Sequence, residues 1–167
     1  MSSPRLELTA PHDEPVLVFR RAFKAPASLV FEAWTEPRHL RHWRVPHGFE
    51  LVVCEVDLRV GGGYRFVHRA PDGSRHAFRG RYRQIERPGR LVSTLTYEAA
   101  PETEALDEVT FGDNGGTTLV TGRTTFPTFE ARELYAAAGA ERGLAECHES
   151  LDDLLAALAP SPTERHR

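Results

Sequence analysis

The chain has 167 residues, 40% of them hydrophobic and 27% charged, a balance that suits one globular domain with a sizeable core and excludes a disordered or fibrous chain. Its formal charge of −3 supplies no global drive toward nucleic acid or anionic lipid. No apolar run approaches the roughly 18 residues of a membrane span, and the opening MSSPRLELTAPHDEP lacks the regions of a secretory signal, so a cytoplasmic location without membrane insertion is expected. Cys54 and Cys147 lie far apart and read as free, buried thiols, because a chain of this size folds without a staple. Lys24 is the only lysine beside many arginines, a bias that points to a bacterial genome.

Residues 1–14 are polar and punctuated by proline, and residues 159–167 have the same character, so both are expected as flexible extensions of one domain over 15–158. The first strand is expected at 16–24, where Leu17, Phe19 and Phe23 share one side. Pro26 then suits a first helical residue, and Leu29, Val30, Ala33 and Trp34 follow at helical spacing. Thr35 is a candidate N-cap for a second short helix over 36–43, with Leu40 and Trp43 on one face.

From 49 to 126 the pattern changes to strands separated by turn signals at 59–63, 71–73, 88–89 and 113–116. Tyr64, Phe66 and His68 share one face, as do Phe78, Gly80 and Tyr82 on the next strand, while Arg65, Arg69, Arg79, Arg81 and Arg83 take the other side. Such a sheet is covered on one face and wet on the other. The cover is the C-terminal region, a helix over 128–138, a break at Gly139 and a helix over 140–158. Leu144, Cys147, His148, Leu151, Leu154, Leu155 and Leu158 form one apolar stripe on that last helix, which at about 1.5 Å per residue is about 28 Å long and spans the sheet. The expected class is α+β: a curved seven-stranded antiparallel sheet around a long C-terminal helix, with two short helices after the first strand.

In this order of elements the chain resembles the START-like (SRPBCC) superfamily, and within it the bacterial relatives of the C-terminal domain of the activator of Hsp90 ATPase. The resemblance covers about 16–158. It rests on Arg21-Ala22-Phe23-Lys24-Ala25-Pro26, on Val30 to Pro37, on Leu40 with Trp43 and Pro46, and on Asp57 to Gly62. Pro71-Asp72-Gly73, Gly80-Arg81-Tyr82, Arg90-Leu91-Val92, Thr94, Gly139 and Gly143 continue it in register. It implies the helix-grip (START/Bet v 1-like) fold, often with a ligand cavity between sheet and helix. Its relatives bind lipids, hormones or polyketides, catalyse cyclisation or hydrolysis, or stimulate a chaperone ATPase, so the fold does not choose an activity. The departures are Arg44, where relatives carry a second aromatic after Trp43, and Ala140, Leu144 and His148, where they commonly have Met, Trp and Leu. A larger cavity with one titratable point is the expectation.

His148 has two readings. It is either a satisfied core histidine or a polar anchor paired across the cavity with His68, Tyr82 or Tyr97. General acid–base work asks more, a substrate proton in reach and a tuned pKa. His39, His42 and His47 lack the spacing and the cysteine or glutamate partners of a zinc site, so no metal is expected. The arginine face has no interleaved aromatics for nucleic acid. Gly61-Gly62-Gly63 opens no helix, and no nucleophile motif is present.

The expected function is binding of a small, mainly apolar or aromatic molecule, without a cofactor, in a cavity lined by Trp34, Phe66, His68, Tyr82, Tyr97, Phe111, Leu144 and His148. A chaperone-linked interaction module and a cyclase- or hydrolase-like enzyme are the alternatives. The broad exposed sheet is also compatible with a homodimer.

Overall fold

The computed structural model describes residues 5–159. Of the extensions expected at 1–14 and 159–167, residues 1–4 and 160–167 fall outside the described residues. In chain order the elements are β1 (Glu7–Thr9), β2 (Val16–Phe23), α1 (Ala27–Thr35), α2 (Pro37–Trp43), β3 (Glu50–Val56), β4 (Gly63–Arg69), β5 (Arg75–Glu86) and β6 (Arg90–Tyr97). A 3-10 turn at Pro101–Thr103 leads to β7 (Ala105–Asn114), β8 (Thr117–Thr125), α3 (Phe129–Ala137) and α4 (Ala140–Leu158). All strands pair antiparallel in one curved sheet of order β1-β2-β8-β7-β6-β5-β4-β3, giving an α+β fold.

The alternation predicts seven strands, and the structure has eight. The added one is β1, too short to announce itself by periodicity. Its Leu8 sits opposite Phe19 of β2 and packs on the core. Arg132 of α3, itself buried, holds the stretch that follows by donating to the carbonyls of Pro11 and Glu14.

Two helix ends differ from expectation. Pro26 is the N-cap of α1, not its first residue. Thr35 closes α1 and donates its hydroxyl to the Phe31 carbonyl at 2.9 Å, so Glu36 caps α2 and Pro37 fills its first position. Thr128 caps α3 by accepting from the Ala131 N–H at 3.0 Å. Gly139, with φ +93°, separates α3 from α4 in a conformation that favours glycine.

One face of the sheet packs inward, and strand register says which residues share it. Phe19 faces Gly122, which faces Val109, which faces Leu91. A Cβ on Gly122 would lie 2.0 Å from the Phe19 ring, so the glycine gives that ring its floor. Gly80 does the same under Tyr64, whose hydroxyl donates to the Thr94 carbonyl at 2.6 Å. From α4, Cys147, His148, Leu151 and Leu155 are buried against this face and α1.

The opposite face carries the arginines, three of which lie against acids. Arg65 makes a two-point contact with Glu98 at 2.8 and 3.1 Å, Arg79 lies 4.0 Å from Glu98, and Arg69 pairs with Glu50. A half-open depression of about 450 Å³ lies on this face between Glu55, Arg65, Arg79, Arg81 and Glu104.

Candidate functional site

The inner face carries two separate apolar clusters. The larger joins Phe19, Phe23, Trp34, Trp43, Leu91, Val109, Phe111 and Val120 to α4. The smaller joins Leu17, Ala105, Phe126 and Ala131 with Leu95 and Tyr135 packed against it. Between them a polar row crosses the sheet: Ser93 on β6 faces Asp107 on β7, which faces Thr124 on β8. Asp107 alternates with Ala105 and Val109, both 4% exposed, and so points inward with them. Yet Asp107 and Thr124 keep some exposure.

The Thr124 hydroxyl donates to the Asp107 carboxylate at 3.0 Å. Burial nevertheless raises the Asp107 carboxyl above the ordinary range, with Arg44 opposing that shift. The Tyr135 ring of α3 lies 5.3 Å from that of Phe126, tilted by 47°, and burial raises its phenol while Arg44 pulls it down and Asp107 pushes it up. Tyr82, opposite Ser93, is likewise raised by burial and lowered by Arg44.

Arg44 is therefore the charge common to these groups. It follows α2 directly, and its guanidinium lies 5.6 Å from the Trp43 ring centre and 5.9 Å from that of Phe66. Trp43 is fully buried and anchored by its indole N–H to the Ala33 carbonyl at 2.9 Å. Among the described residues the Arg44 guanidinium makes no hydrogen bond or ion pair. It is half-buried.

The residues expected to line a cavity divide into three neighbourhoods. Trp34, Phe111 and His148 belong to the large core cluster, where His148 lies 5.2 Å from Phe19, 5.4 Å from Phe23 and 6.1 Å from Trp34 between ring centres. Phe66 and Tyr82, at the other end of the same cluster, flank Tyr64 at 5.0 and 5.6 Å. His68 and Tyr97 flank Phe78 at 5.0 and 5.2 Å, and the Tyr97 hydroxyl meets His76 Nδ1 at 2.9 Å. Leu144 lies half-buried on α4.

His148 corrects both readings made for it. It is 1% exposed, yet neither ring nitrogen has a hydrogen-bond partner among the described residues, so it is not satisfied and not paired with His68, Tyr82 or Tyr97. Three aromatic rings, Phe19, Phe23 and Trp34, surround it. Burial, then the charges of Arg21 and Arg44, lower its pKa to about 3, so the imidazole is neutral. Arg21 is itself committed, making a two-point contact with Asp152 of α4 and lying 4.7 Å over Phe23. His68 is lowered to about 4, by burial first and then by Arg44 and His76.

Cys54 and Cys147 are free and buried. Burial lifts the Cys147 thiol to about 11, so it is not an activated nucleophile. At the corner between α1 and α2, Glu32, Glu36 and His39 bring ligand-type atoms within 4.8 Å. Arg38 occupies both carboxylates, at 2.8 Å to Glu32 and 2.6 Å to Glu36, which makes this an ion-pair cluster.

Sequence reasoning missed Ser93, Asp107, Thr124 and Tyr135 as site residues. The available signal was Asp107 in period with Val109 and Phe111, a carboxylate on an apolar face. Arg44 stood out only as a departure from its relatives.

Known proteins place the fold. A Rhodobacter sphaeroides protein is 28% identical, with a TM-score of 0.84 over 92% of this chain and 100% of its own. A Mycobacterium smegmatis protein, 22% identical, superimposes with a TM-score of 0.83 over 93% of this chain and 100% of its own. A Silicibacter pomeroyi protein, 17% identical, reaches a TM-score of 0.71 over 86% and 99%. No curated protein matches the chain. Residues 24–156 match the family described as activator of Hsp90 ATPase homolog 1-like protein, and the chain belongs to that family.

Proposed function

We propose that this chain, in the cytoplasm, binds a small, mainly apolar or aromatic molecule between the inner face of its sheet and α4, in a helix-grip arrangement and without a cofactor. One observation carries the reading. Asp107, Thr124, Leu95, Tyr97 and Leu144 keep solvent-accessible surface although the strand register and the α4 stripe turn them inward, beside neighbours that are almost fully buried. Inward-facing side chains left partly exposed beside aromatic walls support this reading, since a ligand site is mostly apolar wall with a few placed polar groups. Tyr64, Phe66 and Tyr82 supply the walls, and the row Ser93, Asp107 and Thr124 supplies the polar floor.

Thermal unfolding against aromatic, lipid and polyketide libraries tests this. A ligand at 100 times its Kd adds about 2.7 kcal/mol of stability. No shift across all three libraries refutes the reading.

The family description supports a second reading, a chaperone-interaction module. The outer-face depression among Arg65, Arg79 and Arg81 is the surface such a contact would use. Co-purification with a bacterial Hsp90 and stimulation of its ATPase separate this reading from the first. A cyclase- or hydrolase-like activity in the same cavity would show as product formation from a ligand found by the screen.

A further inference from the structure

We propose that the ligand carries an anionic group, a carboxylate, sulfonate or phosphate on its apolar body, and that Arg44 receives it. The proposal rests on the ligand-binding reading above and specifies which member of that broad class the site takes.

An arginine at the edge of an interior normally has a fixed acidic partner. Arg21 and Arg132, both buried, each have one. The Arg44 guanidinium has none among the described residues, although it is half-buried and lies over the faces of Trp43 and Phe66. The two rings offer cation–π contact, and none of the guanidinium N–H groups has a hydrogen-bond partner among the described residues. Those groups are what a carboxylate or sulfonate engages by two parallel bonds.

The nearby acids do not compete for it. Glu146 is held by Arg142 at 3.2 Å and by the His47 N–H at 3.0 Å. Asp107 accepts from Thr124 and makes no ion pair with Arg44. The cation thus has no ion-pair partner among the described residues where it lies over the aromatic rings. Its position directly after buried Trp43 fixes where the stem starts.

A matched pair of fluorescent probes isolates the anion. Anilinonaphthalene sulfonate and phenylnaphthylamine have the same aromatic body and differ by the sulfonate. On the native protein the sulfonate is expected to bind about tenfold more tightly or better, the scale of one charge-assisted contact. Arg44→Leu should abolish that preference and leave the neutral probe within about twofold, the scale of a hydrophobic wall kept intact. Arg44→Lys should retain part of it. Arg83→Leu removes the same charge from the exposed outer face and should change neither affinity. Circular dichroism and the unfolding temperature verify that each variant is folded, and the fluorescence of Trp34 and Trp43 reports occupancy independently of the probes.

Binding of the neutral probe with no preference for the sulfonate, or a preference that survives Arg44→Leu, overturns the anion proposal alone. Failure of both probes to bind the native protein also overturns this proposal, and the ligand-binding reading falls with it when the three libraries give no thermal shift either.

Discussion

Two polar intrusions into the apolar interior differ in how the fold treats them. His148 is sealed by Phe19, Phe23 and Trp34 with both nitrogens unpaired, whereas Asp107 and Arg44 keep access to solvent beside the aromatic walls. A sealed imidazole can only stay neutral and cost stability. Groups at an open row can exchange water for a ligand. A buried polar residue is therefore a functional signal when space adjoins it, and a packing compromise when rings close over it.

Packing density is the sharpest way to test that contrast. Phe23→Ala, in the sealed cluster, should cost about 3–5 kcal/mol in urea unfolding, because its neighbours have no room to relax. Leu144→Ala, at a half-buried position of α4, should cost less, about 1–2 kcal/mol, since part of its surface is already exposed. Equal costs at the two sites would mean that Leu144 is packed as tightly as the cluster.

His148→Leu comes next. Replacing a ring with unsatisfied nitrogens by an apolar side chain should stabilise the protein by about 1–3 kcal/mol at pH 7. The pH dependence has a defined sign. The folded pKa is lowered to about 3, so below about 6.5 the unfolded chain takes up a proton that the folded one refuses, and stability is lost as pH falls toward 3. Between pH 7.5 and 5 the native protein should lose about 2 kcal/mol more than His148→Leu does. His68, lowered to about 4, acts in the same direction in both proteins and leaves the difference intact. Parallel pH profiles would show that His148 finds a partner in solution.

The sequence made the fold legible because its cues are local. Period-2 alternation through Tyr64, Phe66 and His68, glycine turns, and the stripe from Leu144 to Leu158 each fix an element without reference to any other. β1 escaped because three residues carry no period, and its order comes from Leu8 against the core and from distant Arg132. The site was less legible because it is made by register. Ser93, Asp107 and Thr124 are unremarkable singly and become a row only when β6, β7 and β8 align. His148 drew attention as an anomaly on its own helix, but which rings pack over it depends on β2 and α1.

Asp107→Asn probes the open side with the smallest expected change in stability. Burial raises the Asp107 carboxyl, so the folded state holds its proton more tightly than the unfolded one, and above the ordinary carboxylate range ionisation opposes folding. Asparagine removes that opposition while its side-chain oxygen still accepts from Thr124. The variant should be modestly more stable than the native protein at pH 7, by less than His148→Leu because Asp107 already has a hydrogen bond and some water. The advantage should vanish as pH falls through the carboxylate range. The two stabilising changes then part company in binding. At His148 no ligand contact is lost, so affinity for the fluorescent probes should persist, whereas at Asp107 it should change, because that carboxylate belongs to the polar floor of the proposed site. Stabilisation without any effect on binding at Asp107 would move that carboxylate to the same standing as His148, a compromise of packing.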